Sequence, residues 1–347
     1  MDLFALTRQL IDIPSVTGDE GAVGHFLASY LQDLGYNVEQ QQVERERCNI
    51  IATAGPPHIV LSTHMDTVPP GIASSEDAKD IYGRGACDAK GIIAAQIFAA
   101  EELRREGLNE IGLLFTVDEE TGSLGAQIAN RHPMANESRY LINGEPTDNK
   151  LAIGTKGSVR FTITTTGRAA HSAYPEQGDS AIEKLLDVLM EIRHCEWPAD
   201  ELFGETTCNV GVIAGGTRPN VVPAEALAAL QIRLATAVAP VRERLQQAVA
   251  GRATIEYLSV HEPVRLLEVD GFDQCLVRFT TDIPYLSNWG TALLIGPGSI
   301  LDAHTGHERI SKRELQRAVE LYTRLVRTLA ARTNDRVVQE TRSTAGI

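Results

Sequence analysis

Val60-Leu61-Ser62-Thr63-His64-Met65-Asp66-Thr67-Val68-Pro69 is the stretch around which the rest of the chain is best read. An apolar run ends in a histidine, and an aspartate follows two residues later on the same side of an extended chain. From there His64 can ligate a metal while Asp66 accepts the proton of the second ring nitrogen. Alone, His-X-Asp is common and reads as a strand end entering a proline-terminated loop. Its weight depends on whether further donors follow at the ends of other strands.

Upstream, Leu3, Leu6, Leu10 and Ile11 keep the spacing of an amphipathic helix that ends near Pro14. Thr17 and Glu20 are spaced as a capping box for a second helix, which Gly35 closes. Strand-like runs follow at 37–43, 49–54 and 58–63. Downstream, Gly83-Arg84-Gly85-Ala86-Cys87-Asp88-Ala89-Lys90-Gly91 leads into an alanine-rich helix over 92–105. A strand over 111–117 runs into Asp118-Glu119-Glu120, and one over 140–143 runs into Gly144-Glu145-Pro146-Thr147. Strands alternating with helices predict an open α/β sheet with ligand groups beyond the strand carboxyl ends. His64, Asp88, Glu119, Glu120 and Glu145 all fall at such ends.

The texture changes near Gly157. A strand over 159–166, a helix over 180–193, strands over 207–214 and 226–234, a helix over 239–250 and a strand over 254–261 follow. That order predicts a ferredoxin-like α+β sandwich, 157–265, inserted into a discontinuous catalytic domain of 1–156 and 266–347. The chain returns to α/β texture with Gly296-Pro297-Gly298, His304 and a final helix near 312–331. From Asn334 the polar end is expected to fray.

Composition mainly excludes. At 347 residues two domains are expected, and a net charge of −14 argues against a nucleic-acid or anionic-membrane partner. Five scattered cysteines without a Cys-X-X-Cys pair suit a reducing cytoplasm. The start of the chain lacks the pattern of a signal peptide, and no apolar run approaches the ~20 residues of a membrane span. A cytoplasmic protein is expected.

The chemistry lies in the joint order of the acids and histidines. A carboxylate suits a position shared by two metal ions, and Asp88 in its tight turn is the candidate. Alone it reads as a surface aspartate capping the next helix, with Lys90 a solvated charge beside it. Glu119 and Glu120 would repel as neighbours unless one is tied to metal while the other takes a proton. Glu145 precedes a proline that steadies its loop. His304 stands in Asp302-Ala303-His304-Thr305-Gly306-His307, where His307 competes for the same role.

These residues resemble the co-catalytic zinc amidohydrolases that include acetylornithine deacetylase, succinyl-diaminopimelate desuccinylase, aminoacylases and glutamate carboxypeptidase. The resemblance runs from about Leu3 to Arg332 and rests on the motifs around His64, Asp88, Glu119, Glu145 and His304, in the family's order. It implies a zinc-peptidase-like domain, with a mixed sheet flanked by helices, holding two divalent ions, zinc with cobalt or manganese as substitutes. His64 and Glu145 would hold one ion, Glu120 and His304 the other, and Asp88 both. Asp66 would orient His64, and Glu119 would be general base and acid for attack by a metal-bridged hydroxide.

The resemblance further implies a homodimer formed through the inserted domain, which lends the partner's site a carbonyl-polarising histidine. His171, in Gly167-Arg168-Ala169-Ala170-His171-Ser172-Ala173, matches it. Asn220 and Arg233 match positions that grip the substrate, the arginine taking its carboxylate. One departure is Gly306-His307 where the family has a proline after His304-Thr305. Thr281-Asp282-Ile283-Pro284-Tyr285 and Gly296-Pro297-Gly298-Ser299 look most like the acetylornithine deacetylase branch. The expected activity is hydrolysis of an N-acyl amino acid of the N-acetyl-ornithine or N-acetyl-citrulline type. A dipeptidase, carboxypeptidase or desuccinylase is the alternative within the family. A non-catalytic metal- or peptide-binding protein is the alternative from another class, and it has no need of Glu119.

Overall fold

Six strands build the central sheet, in the order Asn37–Glu44, Arg47–Thr53, Ile111–Thr116, Ile59–His64, Tyr140–Asn143 and Thr291–Leu294. Neighbours among the first three are antiparallel, and from Ile111–Thr116 through Thr291–Leu294 neighbouring strands run parallel. This computed structural model describes the backbone of residues 1–344 and the side chains of residues 1–332. Both faces of the sheet are covered over its inner strands Ile59–His64, Ile111–Thr116 and Tyr140–Asn143, which are buried throughout, while the edge strand Asn37–Glu44 is polar and has no buried residue. Leu61, Leu113 and Ile142 face one core with Leu6, Leu10, Leu27 and Leu325. Their neighbours Val60, Leu114 and Leu141 face a second core with Leu286 and Trp289. This alternation is the period of two expected of extended chain.

Register brings the site together. His64 stands opposite Thr116, and Ser62 opposite Asn143, in parallel pairs. The segments after these strands, 64–68, 117–120 and 144–147, therefore leave the sheet at one edge. Gly144 is needed there: a Cβ on it would press on the Ile92 side chain and lie 2.6 Å from Gln96 Nε2. Gly85, at φ 88, takes a left-handed turn two residues before Cys87.

The expected capping box is not formed. The helix Gly21–Asp33 begins after Glu20 without a side-chain cap. Glu20 instead pairs with Arg47 at 2.7 Å, and the Thr17 hydroxyl donates to Asp66 Oδ2 at 2.8 Å. An ion pair and a site carboxylate outcompete the weaker local cap. The last helix, Lys312–Thr344, passes Asn334 without a break, and the three residues beyond it lie outside the described residues. Among the described residues no helix is long and apolar enough to cross a membrane.

The chain divides into two compact units. One is Met1–Ile153, Leu266–Cys275 and Thr281–Ile347; the other is Gly154–Arg265 with Leu276–Thr280. The second opens at Gly154, before Gly157, because Gly154 and Thr155 pair with Arg265 and Val264. The segment 276–280 joins it where Lys156 N–H donates to Val277 O at 3.1 Å. Within that unit the sheet order is Thr207–Gly215, Glu225–Leu234, Gly157–Thr166, Thr254–His261, all antiparallel. Helices Ala181–Arg193 and Val238–Val249 cover one face through Leu185, Val188, Val241 and Leu245. This is the ferredoxin-like arrangement.

Candidate active site

Asp88 stands between two histidines. Its Oδ1 is 2.9 Å from His64 Nε2, and its Oδ2 is 3.3 Å from His304 Nε2. His304 Nε2 is also 2.9 Å from Glu120 Oε1, while His64 Nε2 is 4.0 Å from Glu145 Oε2. The donors thus fall into two groups, His64 with Glu145 and His304 with Glu120, that share Asp88. Donor atoms of His64, Asp88 and Glu120 all lie within 4.8 Å of one another.

Each donor reaches this place for a local reason. His64 is the last residue of its strand, and Asp88 closes the turn before the helix Lys90–Arg105. His304 sits in the left-handed region at φ 62, which turns its ring out of a tight loop. His307 is exposed, and its ring is in no ion pair among the described residues. Lys90 is not a solvated charge: it is buried, and Nζ donates to Ile13 O at 2.6 Å. Cys87 is buried, as a small apolar residue would be.

The charges here call for a cation. Burial pushes the Glu145 carboxyl well above its ordinary range; His64 pulls it down, and Asp88, Asp282 and Glu120 push it up. Burial likewise raises Glu119, with Glu145 adding to it. Burial works against a charged His64, yet hydrogen bonds to Asp66 and Asp88 hold its pKa well above the imidazole range. Hydrogen bonds to Asp88 and Glu120 hold His304 at about 10. A metal ion binds the neutral ring, so it would compete with a proton for these nitrogens. Glu145 Oε1 is buried with no hydrogen-bond partner. An orphaned carboxylate oxygen beside two imidazoles and a shared carboxylate suits a divalent cation.

Asp66 holds more than His64. The His64 Nδ1 hydrogen bond goes to the Asp66 backbone carbonyl at 3.0 Å, with carboxylate Oδ1 at 3.4 Å. The ring is thus held by both the carbonyl and the carboxylate of Asp66, the carbonyl contact being the shorter. Its own hydrogen bonds come from Glu119 N–H to Oδ1 and Glu120 N–H to Oδ2, each 3.1 Å, and from Thr17.

Asp282 is a further acid that the sequence reading missed. It is buried, accepts from Thr116 Oγ1 at 2.7 Å through Oδ2, and leaves Oδ1 without a partner. Burial pushes it up to about 6 against hydrogen bonds from Thr116 and Ser123. It belongs to a loop far along the chain, and no spacing connects it to the other acids.

The family model for peptidase family M20/M25/M40 matches residues 60–328, which contain every one of these donors. The chain belongs to that family. This M20 peptidase is 37% identical over 365 residues to a protein of Aspergillus terreus named "probable carboxypeptidase", covering 92% of this chain and 84% of the relative. Its fold is shared with an M20 family metallo-carboxypeptidase of Sulfolobus solfataricus, at TM-score 0.74 and 18% identity, covering 93% and 98% of the two chains. It is shared also with a dinuclear metal binding peptidase of Bacillus subtilis, at TM-score 0.67 and 14% identity, covering 92% and 95%. The M20 chain is a metal-dependent hydrolase acting on amide bonds.

In the inserted unit of the M20 chain, His171 and Asn220 share one ribbon. His171 pairs with Val221 across two short strands, and Ser172 N–H donates to Asn220 O at 3.0 Å. His171 is exposed, with Nδ1 accepting Ala173 N–H at 3.1 Å. Arg233 is not with them. It lies opposite Ser158, whereas Glu225, at the other end of its strand, lies opposite Thr166, just before the His171 loop. Eight strand residues separate those ends by roughly 27 Å. Arg233 Nη1 is buried without a hydrogen-bond partner, and burial, then Arg160, lowers its pKa.

Proposed function

We propose that this M20 hydrolase releases an amino acid with a free carboxylate, from the C-terminus of a short peptide or from an N-acyl amino acid, using two divalent ions. The observation that carries this reading is Asp88, with one oxygen toward His64 and the other toward His304. His64 and Glu145 hold one ion, His304 and Glu120 the other, and Asp88 both. Zinc suits this mixed nitrogen and oxygen set, and cobalt or manganese can substitute. When bound, the ions supply Lewis acidity to the scissile carbonyl and to the attacking water.

The chain's own groups do the rest. Glu119 takes a proton from the water and returns it to the leaving amine; burial, then Glu145, raises its carboxyl above the ordinary range. Asp66 keeps Glu119 in place through its backbone N–H. His171 donates to the developing oxyanion, with Asn220 beside it. Arg233, with an unpartnered buried nitrogen, takes the substrate carboxylate as a bidentate pair.

Peptide substrates have the support of the relatives named "probable carboxypeptidase". N-acetyl-ornithine or N-acetyl-citrulline has the support of the 281–285 and 296–299 sequences. Both products carry the carboxylate that Arg233 would hold. With the His171 loop beside one end of the strand Glu225–Leu234 and Arg233 at the other, a small substrate meets both only if two copies contribute, which supports a homodimer. The strand Thr207–Gly215 is an exposed sheet edge carrying Val210, Val212 and Ile213, and Leu186 and Met190 are exposed on the helix Ala181–Arg193. Such an edge invites pairing with a second copy. All five cysteines are free, in keeping with the cytoplasm.

The test is a metal-loaded assay of N-acetyl-ornithine, N-acetyl-citrulline, N-succinyl-diaminopimelate and dipeptides, each beside its C-terminal amide. Hydrolysis confined to free-carboxylate compounds is expected. Equal hydrolysis of the amides, or of none, overturns the proposal.

A further inference from the structure

Glu308 reaches into the turn that carries Asp88. It is 1% exposed and lies four residues beyond His304. Its Oε1 accepts the backbone N–H groups of Gly85, Cys87 and Asp88 at 2.9, 3.3 and 3.2 Å. Its Oε2 accepts from Arg84 Nη1 at 2.6 Å, and its backbone carbonyl accepts Gly83 N–H at 3.0 Å. Arg84 Nε in turn donates to Pro70 O at 3.2 Å. Converging backbone N–H groups form an anion-binding concavity, here filled by the chain's own carboxylate.

A buried carboxylate is an expensive way to fill space, and it is kept only where several donors need it. Here one of the donors is the backbone N–H of Asp88, whose two oxygens address two histidines, and the others lie within four residues before it, while the acceptor belongs to the loop that carries one of those histidines. We propose that Glu308 is a positioning residue for the metal centre, clamping the 83–88 turn to the 304–308 loop so that Asp88 and His304 keep their spacing. The proposal rests on the two-ion reading above. Glu308 touches neither the donors' metal-facing atoms nor substrate; it acts through the Asp88 backbone.

The test is a cobalt titration of the metal-free full chain, followed by the visible absorption of bound cobalt and by calorimetry, with thermal unfolding of the metal-free protein in parallel. Glu308→Gln keeps the volume but turns an amide N–H₂ toward either Arg84 or the three N–H groups. Loss of such an outer partner lowers metal affinity by about 10–100-fold, and that weakening, with an altered cobalt spectrum, is expected for the site containing His304. A residue serving only stability would lower the unfolding temperature and leave affinity and spectrum of the folded protein unchanged; that result overturns the proposal. Arg84→Met frees Oε2 while sparing the three N–H contacts, and a smaller weakening of the same site is expected. If Glu308→Gln does not fold, an unchanged titration for Arg84→Met overturns the proposal instead. Failure of the unsubstituted chain to bind two cobalt ions overturns the two-ion reading and the clamp with it, and is recognised without any variant.

Discussion

The Asp66 carboxylate is hydrogen-bonded to the backbone of Glu119, Oδ1 to N–H at 3.1 Å. The second carboxylate oxygen meets Glu120 N–H at the same distance, so one buried acid holds the backbone of two adjacent acids. Repulsion between neighbouring glutamates is offset because their backbone is pinned and their side chains go separate ways. Glu120 turns to His304, and Glu119 is left without a histidine of its own.

Asp66→Asn keeps the size but offers only one acceptor oxygen to the N–H groups of Glu119 and Glu120 and the hydroxyl of Thr17. Turnover should fall about 10–100-fold, the usual effect of losing a partner behind a metal ligand, with both ions still bound. Metal analysis of the purified variant checks this; loss of both ions would contradict a purely supporting role.

Glu119→Ala should separate chemistry from metal binding. Positioned proton transfer contributes about 10²–10⁴-fold, so turnover should drop by that order while metal content stays the same. Single-turnover assays with metal analysis decide it, and retained activity removes Glu119 from the mechanism.

Arg233→Lys exchanges a planar fork for a point charge. A charged hydrogen bond is worth about 1.5–3 kcal/mol, so KM for free-carboxylate substrates should rise roughly 10–150-fold. The variant and the unsubstituted enzyme should treat C-terminal amides alike. Unchanged KM would free Arg233 from substrate binding.

Val212→Lys places a charge on the sheet edge, at a residue now 51% exposed. Edge lysines oppose strand pairing. Sedimentation should show a dimer for the unsubstituted chain and a monomer for the variant; a monomer in both would contradict the homodimer.

Much of the site is legible in the sequence because it is built at strand ends. His64, Glu119, Glu120 and Glu145 each follow an apolar run, and such runs can be found by eye. Asp88 needs the glycine-rich turn around it to be noticed. The remainder depends on contacts between distant segments. Thr17 has the spacing of a cap yet bonds Asp66, and Glu20 prefers Arg47, because partners brought by the fold are stronger than those nearby in sequence. Lys90 has a charge that predicts solvent, yet the fold buries it, with Nζ donating to the Ile13 carbonyl of a distant segment. Asp282 lies in the family-like stretch 281–285, but nothing in that stretch marks it as a buried acid beside the other carboxylates. The separation of His171 from Arg233 is a matter of strand register, which the sequence patterns do not display.

Asp88 is proposed to be shared by two ions. Isothermal titration of the metal-free chain with cobalt, with bound metal counted independently, tests it most directly. Two ions per chain are expected, with Asp88→Ala weakening both. A single ion per chain, or two that Asp88→Ala leaves undisturbed, would contradict it.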